Sequence, residues 1–100
     1  MNEKLNEFNK TIKPFSIFDH GNNTYALLLD ATNVYQSNQN GYDWENMVQS
    51  FVASELPEAS KLLNYDSEAG MLCVYCNDLP CLMNIAEKFK ATCDSNFLMK

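Results

Sequence analysis

Asn40-Gly41-Tyr42-Asp43-Trp44-Glu45 marks the start of a helix, and the residues after it show that the helix packs on a core. Gly41 has no side chain and permits a close backbone approach. Asp43 can accept hydrogen bonds from the free N–H groups of a first helical turn. Trp44, the only tryptophan, starts an apolar stripe that continues through Met47, Val48, Phe51 and Val52. Steps of three and four put these side chains on one face of a helix running from about Trp44 to Glu55. Pro57 interrupts it, because proline lacks an N–H and clashes with the preceding turn. A shorter piece after it holds Ala59, Leu62 and Leu63.

Upstream, Pro14 to Phe18 reads as a strand and Asp19-His20-Gly21-Asn22-Asn23 as a turn, being dense in turn formers. Thr24 to Asp30 reads as a second strand. Tyr25, Leu27 and Leu29 lie on one face and Ala26 and Leu28 on the other, so this strand is central in its sheet. The two form an antiparallel hairpin. Ala31 to Asn40 is a polar loop. Downstream, Leu63 to Asp66 is a brief strand, Ser67-Glu68-Ala69-Gly70 a turn, and Met71 to Cys76 a stronger strand. Asn77 or Asp78 can cap a last helix that tolerates Pro80 in its first turn. Leu82, Ile85, Ala86, Phe89 and Cys93 share one face of it.

The resulting order, ββαββα, implies an α+β fold: a small antiparallel sheet with two main helices packed on one face. The other face is left partly solvated and is a natural place for a partner. Residues 14–100 make a single domain. Residues 1–13 are polar and Asn-rich, with Leu5, Phe8 and Ile12 at helical spacing, and form an arm or a short helix.

A chain of 100 residues, 46% of them hydrophobic, can bury one core without staples. Its net charge is −6, and all seven of its cations are lysines. An acidic chain without arginine is poorly suited to nucleic acid, whose phosphates need cations. An acidic membrane surface would repel it. The charge suits either solubility or a basic protein partner drawn in by long-range attraction. Met1-Asn2-Glu3-Lys4 leads into polar sequence with no apolar signal segment, so a cytoplasmic location is expected.

Motifs for chemistry are few. Cys73-Val74-Tyr75-Cys76 has metal or redox spacing, but residues three apart on a strand point to opposite faces. Cys93 falls on an apolar helix face, and Cys81 is the thiol that could sit exposed. The chain's single histidine, His20, reads as a solvent-exposed turn residue. The glycines are too scattered for a phosphate loop. No catalytic set, metal site or cofactor site emerges. Asp43, Asp66 and Asp78 are explained as caps and turn residues. Glu45, Glu55, Glu58 and Glu68 remain as surface charge, a candidate acidic contact patch. Tyr35 and Tyr42, in the loop and at the helix start, are the candidate aromatic anchors.

The chain also resembles the bacterial immunity protein 51 family. The resemblance is carried by Pro14-Phe15, by Tyr25-Ala26-Leu27-Leu28-Leu29-Asp30, and by Gly41-Tyr42-Asp43-Trp44-Glu45 followed by Phe51 and Glu55-Leu56-Pro57-Glu58. It continues through Asp66-Ser67-Glu68-Ala69-Gly70-Met71-Leu72-Cys73 to Ala86, Phe89 and Cys93, spanning roughly Pro14 to Phe97. The connection from Asp30 to Gly41 is shorter and less acidic than the family pattern, and the first thirteen residues have no counterpart in it. The resemblance implies a non-catalytic protein that binds and blocks a cognate toxin domain of a polymorphic-toxin system, and the acidic charge of this chain suits a basic toxin, such as a nuclease. The residues alone also fit a generic acidic interaction module. A small enzyme or zinc protein using Cys73, Cys76, Cys81 or His20 is a third reading.

Overall fold

The computed structural model describes residues 3–31 and 39–96. Its elements are α1 (Glu3–Thr11), β1 (Ser16–Gly21), β2 (Thr24–Asp30), α2 (Gly41–Glu55), β3 (Leu63–Tyr65), β4 (Met71–Cys76) and α3 (Leu79–Asn96), with a 3₁₀ turn at Pro57–Leu62. The four strands form one antiparallel sheet in the order β1-β2-β4-β3. β2 and β4 are central, as apolar residues on both faces of β2 demand. The fold is α+β, and α2 and α3 cover one face. The helices are exchanged between the hairpins: α2 lies over β4 and α3 over β2.

β1 starts two residues later than the sequence suggests, at Ser16 and not Pro14, and ends three residues later, at Gly21 and not Phe18. The chain reverses on Asn22 and Asn23 alone, at φ 53° and 58°. Two successive left-handed residues make the tight hairpin turn whose twist matches the strands, and asparagine tolerates that backbone. Asp19, His20 and Gly21 therefore stay in the strand, with a bulge between Asp19 and Gly21. His20 is exposed, but it is a strand residue.

α2 begins at Gly41, three residues earlier than the apolar stripe implies. Asn40 is its N-cap. The Asp43 N–H donates to Asn40 Oδ1 at 2.9 Å, and the Asn40 N–H donates to Asp43 Oδ2 at 3.0 Å. Two otherwise orphaned donors are satisfied reciprocally. Asp43 thus accepts from the cap residue and is not itself the cap. In α3, Asp78 caps by accepting the Cys81 N–H at 3.1 Å. Pro57 opens the 3₁₀ turn, in which Ala59 is buried while Leu62 faces solvent.

The core lies between sheet and helices. Trp44, Phe15 and Phe89 meet edge to face, with centroids 5.7–6.5 Å apart, and Phe51 joins Phe89 at 5.4 Å. Val48 and Val52 complete the buried stripe of α2, and Leu82, Ile85, Ala86, Phe89 and Cys93 that of α3. Met47 and Phe51 are half-buried at its margin. The first residues do form a helix. Leu5 and Ile12 enter the core, and Asn9 clamps the outer edge of β1. Its side chain accepts the Ile17 N–H at 2.8 Å and donates to the Ile17 carbonyl at 2.9 Å, as a neighbouring strand would.

Candidate functional site

Alternation along the strands sends Ile17, Leu27 and Val74 into the core and their neighbours to the opposite face. That open face carries Phe18 and His20 from β1, Ala26 and Leu28 from β2, and Met71, Cys73 and Tyr75 from β4. Its central row is Phe18, Ala26 and Tyr75, paired in register across three strands. His20 packs its ring on Phe18 (centroids 4.7 Å) and on Tyr75 (5.4 Å). Ala26 is fully buried beneath these rings, whereas Phe18 is 55% exposed. Beside the rings runs a groove of about 420 Å³ over Leu28, Cys73 and Met71, rimmed by Asp66 and Glu68.

The thiols fall as strand geometry requires. Cys73 is on the open face and Cys76 on the core face, so the two cannot converge on one ion. Burial pushes the Cys73 thiol up, and Asp66 and Glu68 add to this against the opposing effect of its hydrogen bond with Tyr75. Burial also raises Cys81, helped by Cys76 and Asp78, and pushes Cys93 up to about 12. Among the described residues no group of three or more His, Cys, Asp or Glu side chains could hold a metal ion. No helix among them is long and apolar enough to cross a membrane.

The candidate contact residues read from the sequence fall into two groups at the ends of α2. Tyr42, Glu45 and Glu68 gather at its N-terminus. There Gly41 brings the helix backbone onto the β3–β4 turn, and the Gly41 N–H donates to the Ala69 carbonyl at 2.8 Å. Glu45 is half-buried and accepts the Ser67 N–H at 3.4 Å. Its charge, after the larger effect of burial, raises the Tyr65 hydroxyl. Tyr42 is 51% exposed. Glu55 and Glu58 line a separate shallow pocket with Cys81 at the far end. Ten residues of helix separate Glu45 from Glu55, about 15 Å. Tyr35 lies outside the described residues.

Glu68 is the residue shared by the acidic corner and the open-face groove. Reading the sequence for loop tyrosines and free glutamates missed Phe18 and Met71. The usable signal was the apolar character of alternate residues on both sides of the strands, which leaves the face opposite the helices apolar as well.

Charge is unevenly distributed. Between residues 14 and 87 there are ten carboxylates and a single lysine, Lys61. The remaining lysines lie in the first thirteen and last thirteen residues. Both α2 and the whole sheet are therefore free of lysine.

The sequence profile of the immunity protein 51 family matches residues 15–100. That is most of the chain, and the chain belongs to this family. No curated protein and no solved structure gives a match.

Proposed function

We propose, with membership of the immunity protein 51 family as the premise, that this protein binds a cognate polymorphic-toxin domain in the cytoplasm of the producing bacterium and neutralises it by steric block. The observation that carries the reading is the family match over residues 15–100. The lysine-poor surface from residue 14 to residue 87 supports a basic toxin, such as a nuclease, because opposite charge accelerates encounter. Glu45, Glu55, Glu58 and Glu68 add to this long-range attraction, with Glu55 and Glu58 peripheral to the contact, and Tyr42 and Tyr35 are candidate aromatic contacts. A one-to-one complex of ordinary size would bury on the order of 1,600 Å². No chemistry is asked of the immunity protein: covering the toxin's active site, or a surface beside it that substrate must cross, is sufficient.

The test is co-expression with the toxin domain encoded beside this gene. Stoichiometric co-purification together with restored growth is expected. A toxin that kills equally well in its presence, and is not captured, would overturn the reading and leave a generic acidic interaction module.

A further inference from the structure

We propose that the open face of the sheet is the surface that recognises the toxin, and that it receives an arginine or lysine side chain of the toxin against the rings of Phe18, His20 and Tyr75, with Asp66 and Glu68 as counter-charges. This rests on the reading of the protein as an immunity protein, and it specifies the surface and the chemistry of the partner.

The first argument is composition by face. A sheet covered on one side by helices normally turns polar residues to water on the other. Here the outward positions of the two central strands are Thr24, Ala26, Leu28 and Asp30 of β2 and Met71, Cys73 and Tyr75 of β4, so the polar ones stand only at the two ends of β2, and the edge strand β1 adds Phe18 to the apolar set. Phe18 and Met71 are 55% and 38% exposed, among the largest exposures of any apolar side chain described. A contiguous apolar face rimmed by charge is the usual mark of an interaction site.

The second argument is shape. The register places Phe18 and Tyr75 on either side of Ala26, two strand spacings apart, about 9–10 Å. The short Ala26 side chain lets the His20 ring settle against both. The result is an aromatic platform that opens into the groove over Leu28 and Cys73. Aromatic anchors bordered by polar groups are typical of interface hot spots.

The third argument is charge, and it selects the occupant. The formal charges that line the groove are the carboxylates of Asp66 and Glu68. No lysine lies in any strand or in the turn from 66 to 70. A nucleic acid would bring phosphates against these carboxylates, and a second copy of this chain would bring its own. A protein cation gains from both features. Its charge is attracted to ring faces, and a guanidinium can bond a carboxylate in a fork while stacking on an aromatic ring.

The experiment measures binding of a catalytically inactive form of the toxin domain encoded beside the gene. The proteins compared are wild type, Phe18→Ala, Tyr75→Ala, the pair Asp66→Asn/Glu68→Gln, and the pair Glu55→Gln/Glu58→Gln at the far end of α2. Thermal unfolding confirms that each variant is folded. Phe18→Ala and Asp66→Asn/Glu68→Gln should each weaken binding by about tenfold or more, mainly through faster dissociation. The Asp66/Glu68 pair should also flatten the salt dependence. The far pair should change affinity less than about threefold, as expected of peripheral charges. Amide chemical shifts of wild-type Leu28, Cys73 and Tyr75 should move when toxin is added, a measurement that needs no variant.

Unchanged affinity in Phe18→Ala and Tyr75→Ala, with loss in the Glu55/Glu58 pair, would overturn this surface while leaving immunity intact. Sedimentation showing a dimer that Phe18→Ala dissociates would assign the face to self-association and also overturn the proposal. A wild-type protein that neither binds nor rescues would remove the immunity reading itself.

Discussion

Replacing Gly41 with alanine separates two opposed forces. Gly41 is the first residue of α2 and its φ is not left-handed, so alanine can adopt the same backbone. Helix propensity alone then favours alanine by up to about 1 kcal/mol. The packing argues the reverse. An added Cβ would lie 2.5 Å from the Met71 carbonyl oxygen and 2.7 Å from its carbon, and closer still to the Glu68 carbonyl oxygen. Ordinary carbon–oxygen contacts begin near about 3.3 Å. Helix and turn must therefore part by roughly 1 Å or more.

Neither side yields easily. The turn is held by the Glu68 N–H to the Met71 carbonyl at 2.8 Å, its reciprocal at 3.1 Å, and the Ala31 N–H to the Gly70 carbonyl at 2.9 Å. The helix is held by Trp44, fully buried one turn on. Overpacking against backbone sits at the upper end of its usual cost, about 3 kcal/mol, and loss of the Gly41–Ala69 hydrogen bond adds about 1 kcal/mol. A loss of about 3–4 kcal/mol is a large share of the 5–15 kcal/mol roughly available to a domain, and should lower Tm by about 12–30 °C. Urea unfolding followed by the fluorescence of Trp44, the only tryptophan, measures it directly. Ser50→Ala on the exposed face of α2 serves as a control and should stay within about 0.5 kcal/mol of wild type. A Gly41→Ala protein within about 1 kcal/mol of wild type, or more stable than it, would refute the close-approach argument.

Three further substitutions probe other parts of the fold. Asn40→Ala removes one half of the reciprocal cap and should cost about 1 kcal/mol in urea unfolding, with little added loss when Asp43→Ala is combined with it. Asn9→Ala removes both clamping bonds to Ile17 and should cost about 1–2 kcal/mol; hydrogen exchange at the Ile17 amide should accelerate, and an unchanged rate would show that the edge is protected by something else. For Cys93, the thiol is neutral in both folded and unfolded chains well below pH 9, while between the ordinary thiol value of 9.0 and the folded value of about 12 the unfolded chain gives up its proton and the folded chain keeps it. Stability should therefore fall as pH rises through that window, by up to about 1.4 kcal/mol per pH unit from this group, and Cys93→Ala should remove that part of the slope.

The parts of the fold that could be read in the sequence are those where burial imposes a period. Thr24 to Asp30 had to be central because both of its faces are apolar, and the α3 stripe from Leu82 to Cys93 admitted one buried side. The readings that shifted depended on single-residue backbone choices. Asn22-Asn23 can take two left-handed residues in succession, so the strand ran on to Gly21 and carried His20 onto the sheet. Asn40 and Asp43 are both good cap residues three apart, and only geometry shows that they bond each other. The order β1-β2-β4-β3, and the crossing of α2 over β4, depend on contacts between halves of the chain that no local pattern encodes. The candidate site was less legible still. Tyr42 and Glu68 could be named from their neighbours, but the meeting of Phe18, His20 and Tyr75 needs the register across Ala26.

The same alternation explains how such a fold could face different toxins. Open-face residues alternate with core residues along the strands: Phe18 follows Ile17, Met71 precedes Leu72, and Cys73 separates Leu72 from Val74. Substitution at Phe18, Met71 or Tyr75 changes the proposed contact surface while leaving the buried row in place, so the stability cost is that of a half-exposed side chain. The core rows, by contrast, cannot vary without cavities or overpacking. If the open face meets the toxin, as proposed, the covered side of the strands holds the fold while the open side is free to set specificity. A series of immunity proteins sharing the covered face and differing on the open one would be expected to keep similar Tm values while exchanging toxins. Toxin choice that tracked changes at Glu55 and Glu58 instead would place specificity on the helices.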